Sequence, residues 1–188
     1  MYSLTELNFN NFNTSKVTTM SYIFRGCNSL TELNVGNFNT SNVTMMESMF
    51  NSCSNLSKLD LSSFNTSNVT TMANMFNACS NITELDLSSF DTSNVTSMNS
   101  MFNNCSSLTK LDLSNFNTYK VKNMWHLLWG CSNLMELDIS NFNTQNVTNW
   151  EGMFSYVPTT VKITTNQSTK NWILDQFPTY TNITTVVE

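Results

Sequence analysis

Apolar residues return along this chain with a fixed beat. In the stretch 53–78, CSNLSKLDLSSFNTSNVTTMANMFNA, they fall at Cys53, Leu56, Leu59, Leu61, Phe64, Val69, Met72, Met75 and Phe76. The spacing changes character halfway. Leu59 and Leu61 flank Asp60 with a period of two, which predicts a short strand with one buried face. Val69, Met72, Met75, Phe76 and Cys79 follow at intervals of three and four, which predicts one face of a short helical segment. Asn68 or Ser67 is placed to cap it. Between the two lies FNTSN, a turn rich in side chains that bond their own backbone.

The beat belongs to a repeat. Cysteines stand at 27, 53, 79, 105 and 131, each 26 residues after the last, and Met1 opens a first unit in the same frame. The six units predict an α/β repeat solenoid over residues 1–156, a right-handed stack of coils with a short strand and a short helical segment in each. A single coil has too little core to fold alone, so stability has to come from stacking. From residue 157 to 188 the period breaks, and VKITT, STKNWILDQF and NITTVVE read as strand, capped helix and strand. That predicts a C-terminal capping segment, with Trp172, Ile173 and Phe177 on its buried face. At the other end Tyr2, Leu4, Leu7 and Phe9 form an edge without a comparable cap, an invitation to self-association.

Charge narrows the function classes. A net charge of −5 with 11% charged residues provides no basic field for nucleic acid or an anionic membrane. No run of about 18 apolar residues occurs and no leader follows Met1, so neither membrane insertion nor a signal peptide is expected. The cysteines share one apolar phase, in a row about 5 Å apart if strands stack side by side. Buried free thiols fit that phase better than a disulfide framework or a metal site. No cofactor and no metal is expected.

Outward positions on the strands align into ladders. One is Glu6, Glu32, Lys58, Glu84, Lys110, Glu136, and the next is Asn8, Asn34, Asp60, Asp86, Asp112, Asp138. Stacked acids repel unless compensated, and Lys58 and Lys110 alternate with glutamates as if to do so. This face reads either as a solvated, charge-balanced surface or as one meeting a cationic partner. A row of single carboxylates lacks the loop geometry of a calcium site.

One coil departs from the pattern. In KVKNMWHLLWG, residues 120–130, Trp125 and Trp129 occupy slots that hold Glu47, Ala73, Asn99 and Glu151, or Asn51, Asn77, Asn103 and Ser155, elsewhere. His126 replaces Ser48, Asn74, Ser100 or Gly152, while Tyr119, Lys120 and Lys122 replace small polar residues. Four residues apart on a helical segment, the two tryptophans are expected on one exposed face. With Tyr119, Lys120, Lys122 and His126 they form an aromatic, mildly basic candidate ligand site. Packing against another part of a larger protein, or drift, would also account for it. His126 has no nucleophile or orienting acid in phase, so no catalytic residue is assigned and the chain is not expected to be an enzyme.

The frame CxxLxxLxLxxF resembles the leucine-rich-repeat consensus. The longer frame, FNTSNVTxMxxMFxxCxxLxxLDLSxF, resembles the BspA-type leucine-rich repeats of bacterial surface proteins, in particular an Asn- and Met-rich variant abundant in mycoplasmas and Gram-positive bacteria. The resemblance implies secretion or cell-surface display and adhesion to an extracellular protein or glycan, and it implies no shared catalytic residues. A structural spacer displaying other domains is the alternative. An ice-binding solenoid is a remoter one, resting on the rank Thr14, Thr40, Thr66, Thr92, Thr118 and Thr144.

Overall fold

The computed structural model describes Leu7, Phe9 and residues 12–186. Tyr2, Leu4, Glu6 and Asn8, named above for the N-terminal edge and the first strand, lie outside the described residues.

The chain is a solenoid of stacked coils. Its strands are β1 (Glu32–Asn34), β2 (Lys58–Asp60), β3 (Lys110–Asp112), β4 (Glu136–Ile139), β5 (Lys162–Thr165) and β6 (Ile183–Thr185), with one helix, α1 (Gln167–Gln176). All pairings are parallel, and those up to β5 keep the repeat register: Leu33 faces Leu59, Leu111 faces Leu137, and Leu137 faces Ile163, whereas β5 meets β6 at the shorter step of Ile163 to Ile183. The 26-residue step therefore carries through β5, one strand beyond the last cysteine unit. At Glu84–Asp86 the strand expected from the repeat is not formed, and the ladder divides into β1–β2 and β3–β4–β5–β6. The gap coincides with the charge pattern. Lys58 pairs with Glu32 at 2.5 Å and Lys110 with Glu136 at 3.5 Å, each turning away from Glu84 and towards the strand it is hydrogen-bonded to.

The helical segment expected in each coil is absent; a run of tight turns takes its place. In the second coil Met49, Asn51 and Cys53 donate their N–H to the carbonyls three residues back. Met46, Ser48, Phe50 and Ser52, alternating with them, donate instead to Thr71, Ala73, Met75 and Asn77 of the next coil. Half of the amides thus close turns and half stitch coils together, leaving none for an i to i−4 helix. This geometry needs left-handed backbone twice per coil, at Ser48 and Ser52, Asn74 and Ala78, Ser100 and Asn104, His126 and Gly130, Gly152 and Tyr156. Spacings of three and four bury the same side chains in either structure, which is why the periodicity alone reads as a helix. Along this wall the bridge Thr19, Met45, Thr71, Ser97, Asn123, Asn149 runs unbroken.

Between the walls lies one continuous core. Phe24, Phe50, Phe76 and Phe102 stack at 5.6–5.8 Å between centroids, and Phe64, Phe90 and Phe116 at 6.4 Å. The first stack is broken in the fifth coil, where Leu128 takes the phenylalanine slot and is fully buried. Cys53, Cys79, Cys105 and Cys131 are buried free thiols, each donating to a phenylalanine carbonyl of the preceding coil at 3.1–3.2 Å. Burial raises the thiols of Cys53 and Cys131 to about 12, so they are not nucleophiles. Cys27 is only partly covered.

The segment after the last turn covers the C-terminal end of the stack. Asn166 caps α1, accepting from Thr169 N at 2.9 Å while its amide donates to Ser140 O and Phe142 O. Ile173 is buried, and Phe177 and Tyr180 lie 5.0 Å from the ring of Phe154. Trp172 meets Trp150 edge to face at 5.8 Å.

Candidate functional site

The turn wall carries a row of rings. Trp125 and His126 are stacked at 3.8 Å and 15°, His126 and Trp129 follow at 5.8 Å and 28°, and Tyr156 of the next coil meets Trp129 edge to face at 4.8 Å. Trp125 is 37% and Tyr156 73% exposed, while His126 and Trp129 are half-buried. The turns, not a helix, bring them together. Both His126 (φ 54) and Tyr156 (φ 62) sit on left-handed backbone, as Tyr22 (φ 65) does in the first coil; histidine enters that region more readily than most residues, whereas a bulky tyrosine is an outlier there. Gly152 makes the packing possible, because a Cβ there would fall 2.7 Å from His126 Nε2. The His126 amide in turn donates to Glu151 O at 3.0 Å, fixing the ring above that glycine.

Tyr156 was not singled out from the sequence. Its signal was available, since its slot holds Gly26, Ser52, Ala78, Asn104 and Gly130 in the other coils.

Three of the expected members do not join the row. Tyr119 lies at the Asn-rich turn, beside Asn115, Asn117, Asn141 and Asn143, and no ring contact links it to the tryptophans among the described residues. Lys120 reaches back to Asn94 Oδ1 at 2.7 Å, across the position where other coils carry an asparagine amide bonded to a backbone carbonyl. Lys122 is exposed, and its backbone carbonyl accepts from Thr148 N at 2.8 Å. The single patch expected from sequence is therefore two features, an aromatic row and a tyrosine among asparagines.

The strand face is explained by its own backbone. Asp60, Asp86, Asp112 and Asp138 each accept the N–H two residues on, from Ser62, Ser88, Ser114 and Ser140, at 2.9–3.0 Å. Asn34 does the same for Gly36. These are turn-forming side chains. The backbone amide of Ser62 lowers the pKa of Asp60, and the Ser88 side chain and amide lower that of Asp86. A shallow trough along β3–β5 is lined by Lys110, Asp112, Glu136, Asp138, Lys162 and Thr164. Among the described residues no three His, Cys, Asp or Glu side chains gather at one point, and no helix is long and apolar enough to cross a membrane.

The threonine rank points inward. Thr40, Thr66, Thr92 and Thr118 are buried, each hydroxyl donating to the carbonyl of residue i+25 and, apart from Thr92, accepting that residue's N–H. It is not the flat outer array that an ice-binding surface requires.

No curated protein matches the chain. Among solved structures, the leucine-rich repeat protein of T. pallidum aligns over 80% of this chain and 74% of its own length, at 16% identity and a TM-score of 0.42. The profile of the family described as "Mycoplasma protein of unknown function, DUF285" matches residues 1–85 and 59–172. The two matches together take in every coil and most of the cap, and they bear out the resemblance carried by the repeat frame: the chain belongs to this family.

Proposed function

We propose that this chain is a non-catalytic recognition module, displayed on a bacterial cell surface, that docks an extracellular protein on the aromatic row Trp125, His126, Trp129 and Tyr156. The observation that carries the reading is the row's cost to the fold. Two of its four rings occupy left-handed backbone that most other coils give to Ser, Asn, Ala or Gly. Backbone strain of this kind amounts to roughly 1–2 kcal/mol per residue, and it persists where function requires it. Rigid Trp and Tyr rings are also the side chains that dominate binding hot spots. A plain spacer has no use for them, and the alternative strand face has its aspartates occupied in turns.

The test is direct binding to purified host extracellular proteins immobilised as a panel. The wild-type chain should bind at least one, and Trp125→Asn/Trp129→Asn should weaken that binding about tenfold or more at unchanged melting temperature, as loss of a hot spot implies. Equal binding by both proteins would remove the row from the site. Binding of nothing on the panel would favour the spacer.

A further inference from the structure

A second feature of the fifth coil has a different chemistry. Tyr119 is 56% exposed in a shallow basin of about 310 Å³, whose other walls are Asn115, Asn117, Asn141 and Asn143. Every one of the four amides is half committed. Asn115 Nδ2 donates to Leu87 O at 3.0 Å and Phe90 O at 2.8 Å, and Asn141 Nδ2 donates to Ser114 O. Asn117 Oδ1 accepts from Tyr119 N and Asn143 Oδ1 from Gln145 N, both at 3.0 Å. The committed half fixes the orientation of the free half. What remains, without a protein partner among the described residues, is two acceptors (Asn115 Oδ1, Asn141 Oδ1) and two donors (Asn117 Nδ2, Asn143 Nδ2) on the residues that line the basin with Tyr119.

We infer that this basin binds a single neutral hexopyranose unit of a glycan. A sugar ring offers an apolar C–H face to the tyrosine and hydroxyls that both donate and accept, which is what paired amide donors and acceptors satisfy. The site is preorganised, because the backbone bonds hold the amides before a ligand arrives. None of its five residues is charged, and the neighbouring Lys120 is turned onto Asn94, so the site offers no countercharge to a carboxylated or sulfated sugar. Its volume lies at the small end of the roughly 300–1,000 Å³ of ligand clefts, suited to one ring. Coil identity matters through the tyrosine: the slot of Tyr119 holds Ser15, Ser41, Ser67, Ser93 and Gln145 elsewhere, while the one slot shared by Asn115 and Asn141 also holds Asn11 and Asn37 and is serine only at Ser63 and Ser89. The inference does not depend on the aromatic row.

Saturation-transfer NMR with the whole chain and the methyl glycosides of glucose, galactose, mannose and N-acetylglucosamine tests it. At least one glycoside should receive saturation, with N-acetylneuraminic acid receiving none. Tyr119→Ser should weaken binding about tenfold, corresponding to the stacking of one ring, while Tyr119→Phe should retain it. Asn141→Ser should weaken it as well, and this variant keeps the fold, because Ser89 in the same slot still donates across the coils to Leu61 O at 3.1 Å. Trp125→Asn should leave the signal unchanged. The inference is overturned if no glycoside binds, if Tyr119→Ser binds as well as wild type, or if Trp125→Asn abolishes the signal and so moves the sugar to the aromatic row.

Discussion

A buried hydroxyl joins neighbouring coils at the turns of Thr14, Thr40, Thr66, Thr92 and Thr118. Thr66 Oγ1 donates to Asp91 O at 2.9 Å and accepts Asp91 N–H at 2.8 Å, so one side chain satisfies both backbone groups of a residue in the next coil. Asparagine amides act in parallel on the same turn, Asn68 donating to Ser41 O and Asn94 to Ser67 O at 2.8 Å. The polar character of this chain is thus structural: its Asn and Thr residues replace the water that would otherwise solvate the turn. Thr66→Val is isosteric and deletes only these bonds. It is expected to cost about 2 kcal/mol, the order of a buried polar group left unmade, measured by denaturant unfolding. That bonding between turns is legible in the repeat of Asn and Thr, whereas its partners are not, because an offset of 25 residues is set by how the coils superimpose.

At the scale of the element, the strand half of each coil is legible and the turn half is not. Alternation around Leu33, Leu59, Leu111 and Leu137 gives the strands directly, since period two has a single structural meaning. Period three to four has more than one. The feature that separates a turn wall from a helix is the pair of left-handed slots, marked in sequence by Gly26, Asn74, Asn104, Gly130 and Gly152 among serines, one alanine, His126 and the tyrosines Tyr22 and Tyr156. Ala78, at φ 57, decides between the two. In a helix, Ala78→Gly would cost about 1 kcal/mol. On this wall it relieves a strained residue and should instead raise stability, by about 1 kcal/mol after the entropy of the unfolded chain is set against the gain. The sign of the change in unfolding free energy is the readout. The missing strand at Glu84–Asp86 is likewise beyond the repeat consensus, and it falls where Lys58 and Lys110 both pair away from Glu84.

Over the whole molecule, the coils form one cooperative body, joined by the turn wall throughout and closed at the C-terminal end by α1, β5 and β6. On this regular scaffold the fifth coil and its neighbour concentrate the exceptions. Leu128 interrupts a phenylalanine stack inside, while Trp125, His126, Trp129 and Tyr156 build a row outside. Sequence comparison among the coils picks out the tryptophans and the histidine, and the structure adds Tyr156 by folding one coil onto the next. On the proposed reading these rings serve a partner and not the fold. It is tested most directly by the unfolding free energy of Trp125→Asn/His126→Asn/Trp129→Asn/Tyr156→Asn, each asparagine being the residue of the same slot in another coil, at Asn99, Asn74, Asn103 and Asn104. If the rings serve a partner, the variant should be as stable as wild type or more stable, by up to about 2 kcal/mol from relief of the two left-handed aromatics. A loss of several kcal/mol would contradict the account and make the row a packing element of the solenoid.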